Sequence, residues 1–395
     1  MVLRLDQNGQ LDTSFDSDGI ATINITDGAF VNSGDSVFAM DLMTDGRIVV
    51  SGVTTPPSGT FDTVVARFNA NGSPDTTLAG NGWVVTAVST IADLSNAVRV
   101  QSDGKIVSVG YRQQSNFSDS VILRYNADGT PDNTFGTSGR VITNLSSGNF
   151  VNNDTYTALV IQPDGKILAG GYSGDNSTTY FNLVRYNTNG SLDASFSGGI
   201  VQTPVGTSNG LLYALNLLPS GQIMAAGAGE TPGGTVEMRV ARYSSTGVLD
   251  PSFGNAGMVE TPFATGTAVI NAMAIQSDGK IVVGGNASDG HRFDFAVLRY
   301  LSAASPSAGE ISIDGRVTTA SGQGIGKVSV IIQDPQTGTT LRTLTNQFGY
   351  YSFTGLHVGT YFISVSAKGR RFSPPNRVVN AFSDLTGEDF VETGQ

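Results

Sequence analysis

Three features of the 395-residue sequence point to an all-β fold built from repeated sheets. A unit returns every 56 to 63 residues, marked by Arg4, Arg67, Arg124, Arg185, Arg242 and Arg299 and, independently, by Gly46, Gly104, Gly165, Gly221 and Gly279. Each unit holds four short runs rich in β-branched and aromatic residues, and abundant Gly, Asn, Asp, Ser and Thr supply tight turns between them. A self-similar unit of four antiparallel strands, repeated radially, is a propeller blade. The sequence therefore predicts a five-bladed β-propeller of four-stranded antiparallel blades over residues 1–300, a linker at 301–309, and a small β-sandwich over 310–395.

Within one unit the strands read as 156–161, 166–170, 182–186 and 199–203, each bounded by turn residues. The first turn is D-G-K or D-G-R at Asp45, Asp103, Asp164 and Asp278, and S-G-Q at Ser220, with glycine taking the positive φ a tight hairpin needs. The second is N-x-[DN]-G-x-x-D-x-x-F, seen at 126–135 and 187–196, and at 69–78 with Leu78 in place of Phe. Its Asx residues suit backbone capping, and its Phe suits a position beneath the turn. The third-strand element occurs six times, at 2–5 and again at 296–300, while the other three occur five times. A ring closed by joining the two chain ends in one blade is the reading this favours; a segment of a longer array is the alternative.

Taken with L-R-Y-N-A-D-G-T-P-D-N-T-F-G at 123–136 and I-Q-P-D-G-K-I-L-A-G-G at 161–171, these motifs resemble the delta-60 repeat family of bacterial β-propeller proteins over residues 1 to about 300. The resemblance implies a secreted or surface-exposed propeller and supplies no catalytic residue. The C-terminal pattern I-x-G-R-V, G-x-G-I-G-K-V-x-V and T-N-Q-F-G-Y-Y-x-F resembles the carboxypeptidase regulatory-like family, which implies a non-catalytic, transthyretin-type sandwich. Its strands alternate cleanly: Ile311, Ile313 and Val317; Val328, Val330 and Ile332; Tyr351 and Phe353; Tyr361, Ile363 and Val365.

Composition narrows the chemistry. There is no cysteine and there are only two histidines, His291 and His357, so disulfides, thiolate metal sites and a histidine-rich zinc site are excluded. Net charge is −11, carried wholly by the repeats: residues 1–309 have 15 Lys+Arg against 26 Asp+Glu, and residues 310–395 have 7 of each. That field repels phosphate backbones, so nucleic acid is not an expected partner. No run of about 18 apolar residues occurs, so no membrane-spanning helix is expected. Met1 leads directly into repeat sequence without a signal-peptide pattern.

The recurring arginines could form an anion-binding ring, but each has an aspartate of its own turn in reach: Asp12, Asp75, Asp132, Asp193 or Asp250. A structural ion pair is the favoured reading. The spacing Asn126, Asp128, Asp132 is similar to a calcium loop, yet most copies offer one carboxylate, which favours Asx-turn capping; no cofactor or metal is expected. Only Glu230, Glu237 and Glu260 are glutamates in the repeats, and no Ser/His/Asp arrangement is recognisable. Repeated aspartates at turns are poor candidates for catalysis, which calls for a unique constellation.

Because strands alternate direction, the near-constant turns share one face and the variable connections share the other. Variation on a rigid scaffold is where recognition resides. Aromatics on the variable side are Phe30, Phe61, Tyr111, Phe117, Phe150, Tyr172 and Tyr180, with Tyr111 and Tyr172 at matching repeat positions. Tyr111, Phe117, Tyr172 and Tyr180 are the ligand-binding candidates. The expectation is a non-catalytic extracellular or cell-surface protein that binds a glycan or a protein; a polysaccharide hydrolase and a structural matrix component are the alternatives.

Overall fold

A computed structural model describes residues 1–25, 34–55, 60–145, 153–174, 178–263, 266–277, 279–288, 291–301, 311–334, 339–356, 359–381 and 385–394. Phe30, Phe150, Asp278, His357 and linker residues 302–309 lie outside them. The chain forms two compact units, Met1–Ser302 and Ala303–Gln395.

The first unit is a β-propeller of successive blades. A short pair, β1 (Val2–Leu3) and β2 (Ile20–Ala21), precedes them. The first blade is β3 (Ser36–Leu42), β4 (Ile48–Thr54), β5 (Asp62–Phe68) and β6 (Trp83–Thr86). The second is β7 (Ala92–Val100), β8 (Ile106–Gln113), β9 (Ser118–Tyr125) and β10 (Arg140–Thr143). The third is β11 (Thr155–Ile161), β12 (Ile167–Gly174), β13 (Thr179–Tyr186) and β14 (Ile200–Pro204). The fourth is β15 (Leu211–Leu217), β16 (Ile223–Glu230), β17 (Val236–Tyr243) and β18 (Met258–Thr261). Each is an antiparallel meander in chain order. The fifth, β19 (Ala268–Ile275), β20 (Ile281–Ser288) and β21 (Phe293–Tyr300), has three strands among the described residues.

Among the described residues the seam favoured by the sequence is not formed. β2 pairs with β1, through Val2 opposite Ala21 and Leu3 opposite Ile20, and not with β21. The physical reason is competition: β1 and β21 carry the same third-strand element, and β1, nearer in the chain, holds the edge of β2 that β21 would need.

Apolar residues are buried in layers between blades, not in one central core. Ile122 and Val109 of the second blade meet Tyr156, Leu159 and Val184 of the third. Leu168 and Leu183 of the third meet Leu212, Leu215 and Ala241 of the fourth. Alternating strand residues thus face opposite neighbours, which is why the second and third strands read as continuous apolar runs.

The first strands pack against one another in sequence, β3 on β7, β7 on β11, β11 on β15 and β15 on β19. Every one carries a bulge at the same place, between Val37 and Ala39, Ser95 and Ala97, Tyr156 and Ala158, Leu212 and Ala214, and Ile270 and Ala272. The bulge presses a carbonyl toward the second strand, and the facing residue is always glycine: Gly52, Gly110, Gly171, Gly227 or Gly285. A Cβ at any of these would lie 1.9 Å from that oxygen. In return the extra residue reaches the next blade. The Asn96 amide donates to the Tyr156 carbonyl at 2.9 Å, and the Thr157 hydroxyl donates to the Leu212 carbonyl.

The second unit is a sandwich of two four-stranded sheets. One is built on β22 (Ile311–Thr318), β25 (Tyr350–Leu356), β27 (Arg371–Phe372) and β29 (Phe390–Gly394), the other on β23 (Ser329–Gln333), β24 (Thr340–Leu344), β26 (Gly359–Ser366) and β28 (Asn376–Ala381). Ile313, Val317, Val330, Ile332, Tyr351, Phe353, Tyr361, Ile363 and Phe390 fill the space between them. Among the described residues no helix is long and apolar enough to cross a membrane.

Adjacent glycines test the bulge argument. Gly285→Ala drives a methyl into the Val269 carbonyl and is expected to cost about 1–3 kcal/mol in urea unfolding. Gly284→Ala, with nothing within 4 Å of its Cβ, is expected to leave the midpoint nearly unchanged.

Candidate functional site

The constant face is built on the arginines. In each unit the Nε of the arginine donates to an aspartate eight residues on: Arg4 to Asp12 at 2.8 Å, Arg67 to Asp75 at 2.6 Å, Arg124 to Asp132 and Arg185 to Asp193 at 2.7 Å, and Arg242 to Asp250 at 2.9 Å. One Nη donates to the hydroxyl of Ser14, Thr77, Thr134, Ser195 or Ser252 in the same turn. From the first four arginines the other Nη donates into the following unit, to the carbonyls of Ala70, Ala127, Thr188 and Ser245 at 2.6–2.8 Å. The guanidinium also lies over Phe15, Phe135, Phe196 or Phe253, with the carbon 4.3–4.8 Å from the ring centroid. Arg299, the sixth, is exposed, and no aspartate pairs with it among the described residues.

The cation after three of the D-G turns joins the same aspartate. Arg47 reaches Asp75 at 3.0 Å, Lys105 reaches Asp132 at 3.6 Å, and Lys166 reaches Asp193 at 3.0 Å. Where the motif reads S-G-Q, the Gln222 amide donates to Asp250 at 2.6 Å, so the tie survives without the charge. Burial alone would push Asp132 up. The Thr134 hydroxyl and amide, with Arg124, outweigh it and hold this carboxyl down at about 2. Asp75 and Asp193 are likewise held well below the ordinary carboxylate value, against burial, by Thr77 and Arg47 and by Ser195 and Lys166. At Asp128, a candidate calcium ligand, Oδ1 accepts the Thr130 amide and hydroxyl, and Asn126 donates to Thr130. Asx capping uses these groups.

On the opposite face, Asp93 and Asp154 fasten the connections that enter the first strands. Asp93 accepts the Val88 and Ser89 amides at 2.6 and 2.8 Å, and Asp154 accepts the Leu145 amide at 2.6 Å. Burial, then the charge of Asp93, raises Asp62 above the usual carboxylate value. In the second blade the counterpart, Asp119, is neutralised by Arg112 at 2.8 Å. Both Asp62 and Asp93 are buried, which keeps them from a polymeric substrate. Among the described residues no three His, Asp or Glu side chains converge, and His291 is exposed.

Tyr111 and Tyr172 come together with a residue the sequence reading missed. Tyr172, on the third blade, meets Tyr213, on the first strand of the fourth, edge to face with centroids 6.2 Å apart. Burial pushes the Tyr172 phenol up to about 12, with Tyr213 and Tyr111 adding to the shift, and burial also raises Tyr111 and Tyr213. Three half-buried phenols, one from each of three successive blades, therefore lie together near the variable loops. Tyr213 escaped notice because it is the bulge residue of β15, where the two-residue alternation that assigns faces slips by one. Phe117 and Tyr180 are half-buried nearby in the chain but make no ring contact with the cluster among the described residues.

Five of the six other repeat-domain tyrosines behave differently; the sixth, Tyr180, also has no hydroxyl partner among the described residues. Tyr125 bonds Thr86, Tyr243 bonds Thr203, Tyr300 bonds Thr261, and Tyr156 and Tyr186 bond each other, with Tyr186 also on Thr143. Those are core groups with satisfied hydroxyls. Tyr111, Tyr172 and Tyr213 have no hydroxyl partner among the described residues, so their polar ends are open to a ligand.

The model of a domain of unknown function, DUF5122 beta-propeller, matches residues 44–78, 101–135, 162–196, 218–253 and 276–303, and that of a carboxypeptidase regulatory-like domain matches residues 312–383. No curated protein matches the chain. Among solved structures, a putative oxidoreductase (glucose dehydrogenase) from Thermus thermophilus is 14% identical over 68% of this chain and 84% of its own, with a TM-score of 0.33. A gluconolactonase from Xanthomonas campestris is 13% identical over 62% and 68%, with 0.34. A GH43 enzyme from Xanthomonas citri is 11% identical over 67% and 86%, with 0.33. Likeness at this level says nothing about chemistry.

Acid titration reads the aspartate ties. A carboxyl held near 2 when folded and near 3.8 when unfolded adds stability that is complete above about pH 5 and is lost as pH falls through 4 toward 2. The urea midpoint is expected to be flat from pH 5 to 7 and to drop below pH 4. Asp132→Asn is expected to have a lower midpoint at pH 7 and a shallower acid drop; an unchanged profile would remove Asp132 from that role.

Proposed function

The chain belongs to the DUF5122 β-propeller family, and we propose that this member is a non-catalytic extracellular or cell-surface binding protein. Its ligand, a glycan or a protein, is held on the variable face by Tyr111, Tyr172 and Tyr213. The observation that carries this reading is the contrast between three half-buried phenols with open hydroxyls and five whose hydroxyls are bonded inside the fold. Aromatic rings offer apolar faces to sugar C–H groups or to a partner's side chains, and the phenol adds one donor and acceptor at a defined place. Burial raises all three phenols, so they stay neutral through the physiological range. The C-terminal sandwich serves as spacer or attachment module.

A glycan array and pull-down from surface extracts with Met1–Gln395 are expected to give a ligand. Tyr172→Ala is expected to weaken binding at least tenfold, and Tyr172→Phe by less, with unfolding midpoints close to the parent. Binding that survives the combined Tyr111→Ala and Tyr213→Ala changes would locate the ligand elsewhere. Turnover of a polysaccharide that persists in these variants and stops on changing a single exposed, non-repeated carboxylate, as in Glu260→Gln, would favour a hydrolase.

A further inference from the structure

Two of the blade interfaces carry polar groups at a place where two others are aliphatic. The residue after the bulge-facing glycine of the second strand is Val53, Tyr111, Tyr172 and Ala228 in the first four blades. Three residues before the repeat arginine of the blade that follows stand Val121, Asn182, Arg239 and Ala296. Valine thus goes with valine and alanine with alanine, while Tyr111 goes with Asn182 and Tyr172 with Arg239. The members of each polar pair are turned toward the same interface. Tyr111 and Ser120 are cross-strand partners on the face of the second blade that carries Val109 and Ile122, and Asn182 alternates with Val184 and Tyr186, which pack on that face. Arg239 alternates with Ala241 and Tyr243, which pack on Phe181 and Leu183 of the third blade. Tyr172 is the cross-strand partner of Phe181, and Thr179 lies on the same face.

Both interfaces leave buried polar atoms unused. Asn182 is fully buried and Arg239 is 2% exposed, yet neither amide atom of Asn182 nor the Nε of Arg239 has a hydrogen-bond partner among the described residues. The Ser120 hydroxyl at the first interface and the Thr179 hydroxyl at the second are also buried and unpartnered. Leaving such groups unpaired is costly, and Val121 and Ala296 show that a blade interface closes without them. We propose that the two interfaces are successive subsites for a neutral oligosaccharide, each offering one sugar unit an open phenol, an open hydroxyl and a planar nitrogen group. Resting on the assignment of Tyr111 and Tyr172 as ligand groups, this narrows their ligand from a glycan or a protein to one class. Asn182 presents a donor and an acceptor side by side, and adjacent sugar hydroxyls answer both, whereas an apolar peptide side chain answers neither. An acidic ligand does not suit Arg239, whose Nη1 lies 3.0 Å from Glu237 and 3.4 Å from Glu260, in a repeat domain that carries the whole negative charge of the chain. By the register of the third blade, Tyr172 is level with Phe181, one residue nearer the variable connections than Asn182, and the repeat sets Tyr111 at the same height. The phenols therefore form the rim and the planar groups the floor. Tyr111 and Tyr172 turn outward to admit the sugar and then present their rings to its C–H face. Subsites one blade apart suit a polymer that repeats one sugar chemistry, with Tyr213 beside Tyr172 widening the rim.

Calorimetric titration of Met1–Gln395 with neutral xylo-, gluco-, galacto- and manno-oligosaccharides is expected to give binding in one series, with the tetrasaccharide about tenfold tighter than the monosaccharide. Oligogalacturonate is expected not to bind. Asn182→Val installs the residue found at Val64 and Val121, and is expected to keep or raise the urea midpoint while weakening the tetrasaccharide about tenfold. Arg239→Lys keeps a cation beside Glu237 and Glu260 but loses the Nε–H, and is expected to weaken binding by a similar factor. A midpoint lowered by Asn182→Val shows that water satisfies the amide inside the fold, and overturns the proposal. Affinity unchanged in both variants and lost in Tyr172→Ala also overturns it, and leaves the phenol site standing without its floor. Binding that survives all three changes removes the phenol site as well. Silence from every neutral series, or binding of oligogalacturonate, overturns the proposal; a protein captured by the parent chain and lost with Tyr172→Ala would then preserve the wider reading.

Discussion

The guanidinium of one arginine per repeat is the joint on which the propeller hangs. Its Nε takes the aspartate of its own turn, one Nη takes that turn's hydroxyl, and the other Nη crosses to a carbonyl about one repeat further on. A buried charge is costly unless all of its donors are used and a counter-ion is near. Here the counter-ion and a hydroxyl come from within ten residues of sequence, and the other Nη is spent on the next blade. The same group thus satisfies its own desolvation and sets the step from blade to blade. At Leu78, where phenylalanine is absent, the hydrogen bonds of Arg67 persist and only the ring beneath it is lost.

The inner end of each blade has a second joint of a different kind. A bulge in the first strand frees one side chain to reach the next first strand, and the displaced carbonyl leaves room only for glycine opposite. Ionic at one face and steric at the other, the two joints hold each blade against the next while leaving the connections of the variable face out of both. Stability in such a stack is a sum over neighbours, so loops can diverge without disturbing the frame. That division is the physical basis for placing recognition among Tyr111, Tyr172 and Tyr213.

Much of this was legible beforehand. The strand order, both turn types and the pairing of Arg124 with Asp132 lie within one repeat, and local spacing encodes them. So does the alternation of Ile313, Val330, Ile332 and Ile363 that builds the sandwich interior. The Lys or Arg after the D-G turn was readable as a turn residue but not as a partner for an aspartate 27 or 28 residues on, because hairpin chemistry alone accounts for it.

What the sequence by itself determined is therefore the blade: its period, its four strands, its turns and its internal ion pair. Only the tertiary structure decided what happens between blades. It brought Tyr213 to Tyr172 through a bulge that breaks the alternation, and it gave the edge of β2 to β1 in place of β21. The reason is that identical repeats carry identical local signals. Which copy meets which, and which of two equal strands takes a single edge, is settled by packing and chain proximity.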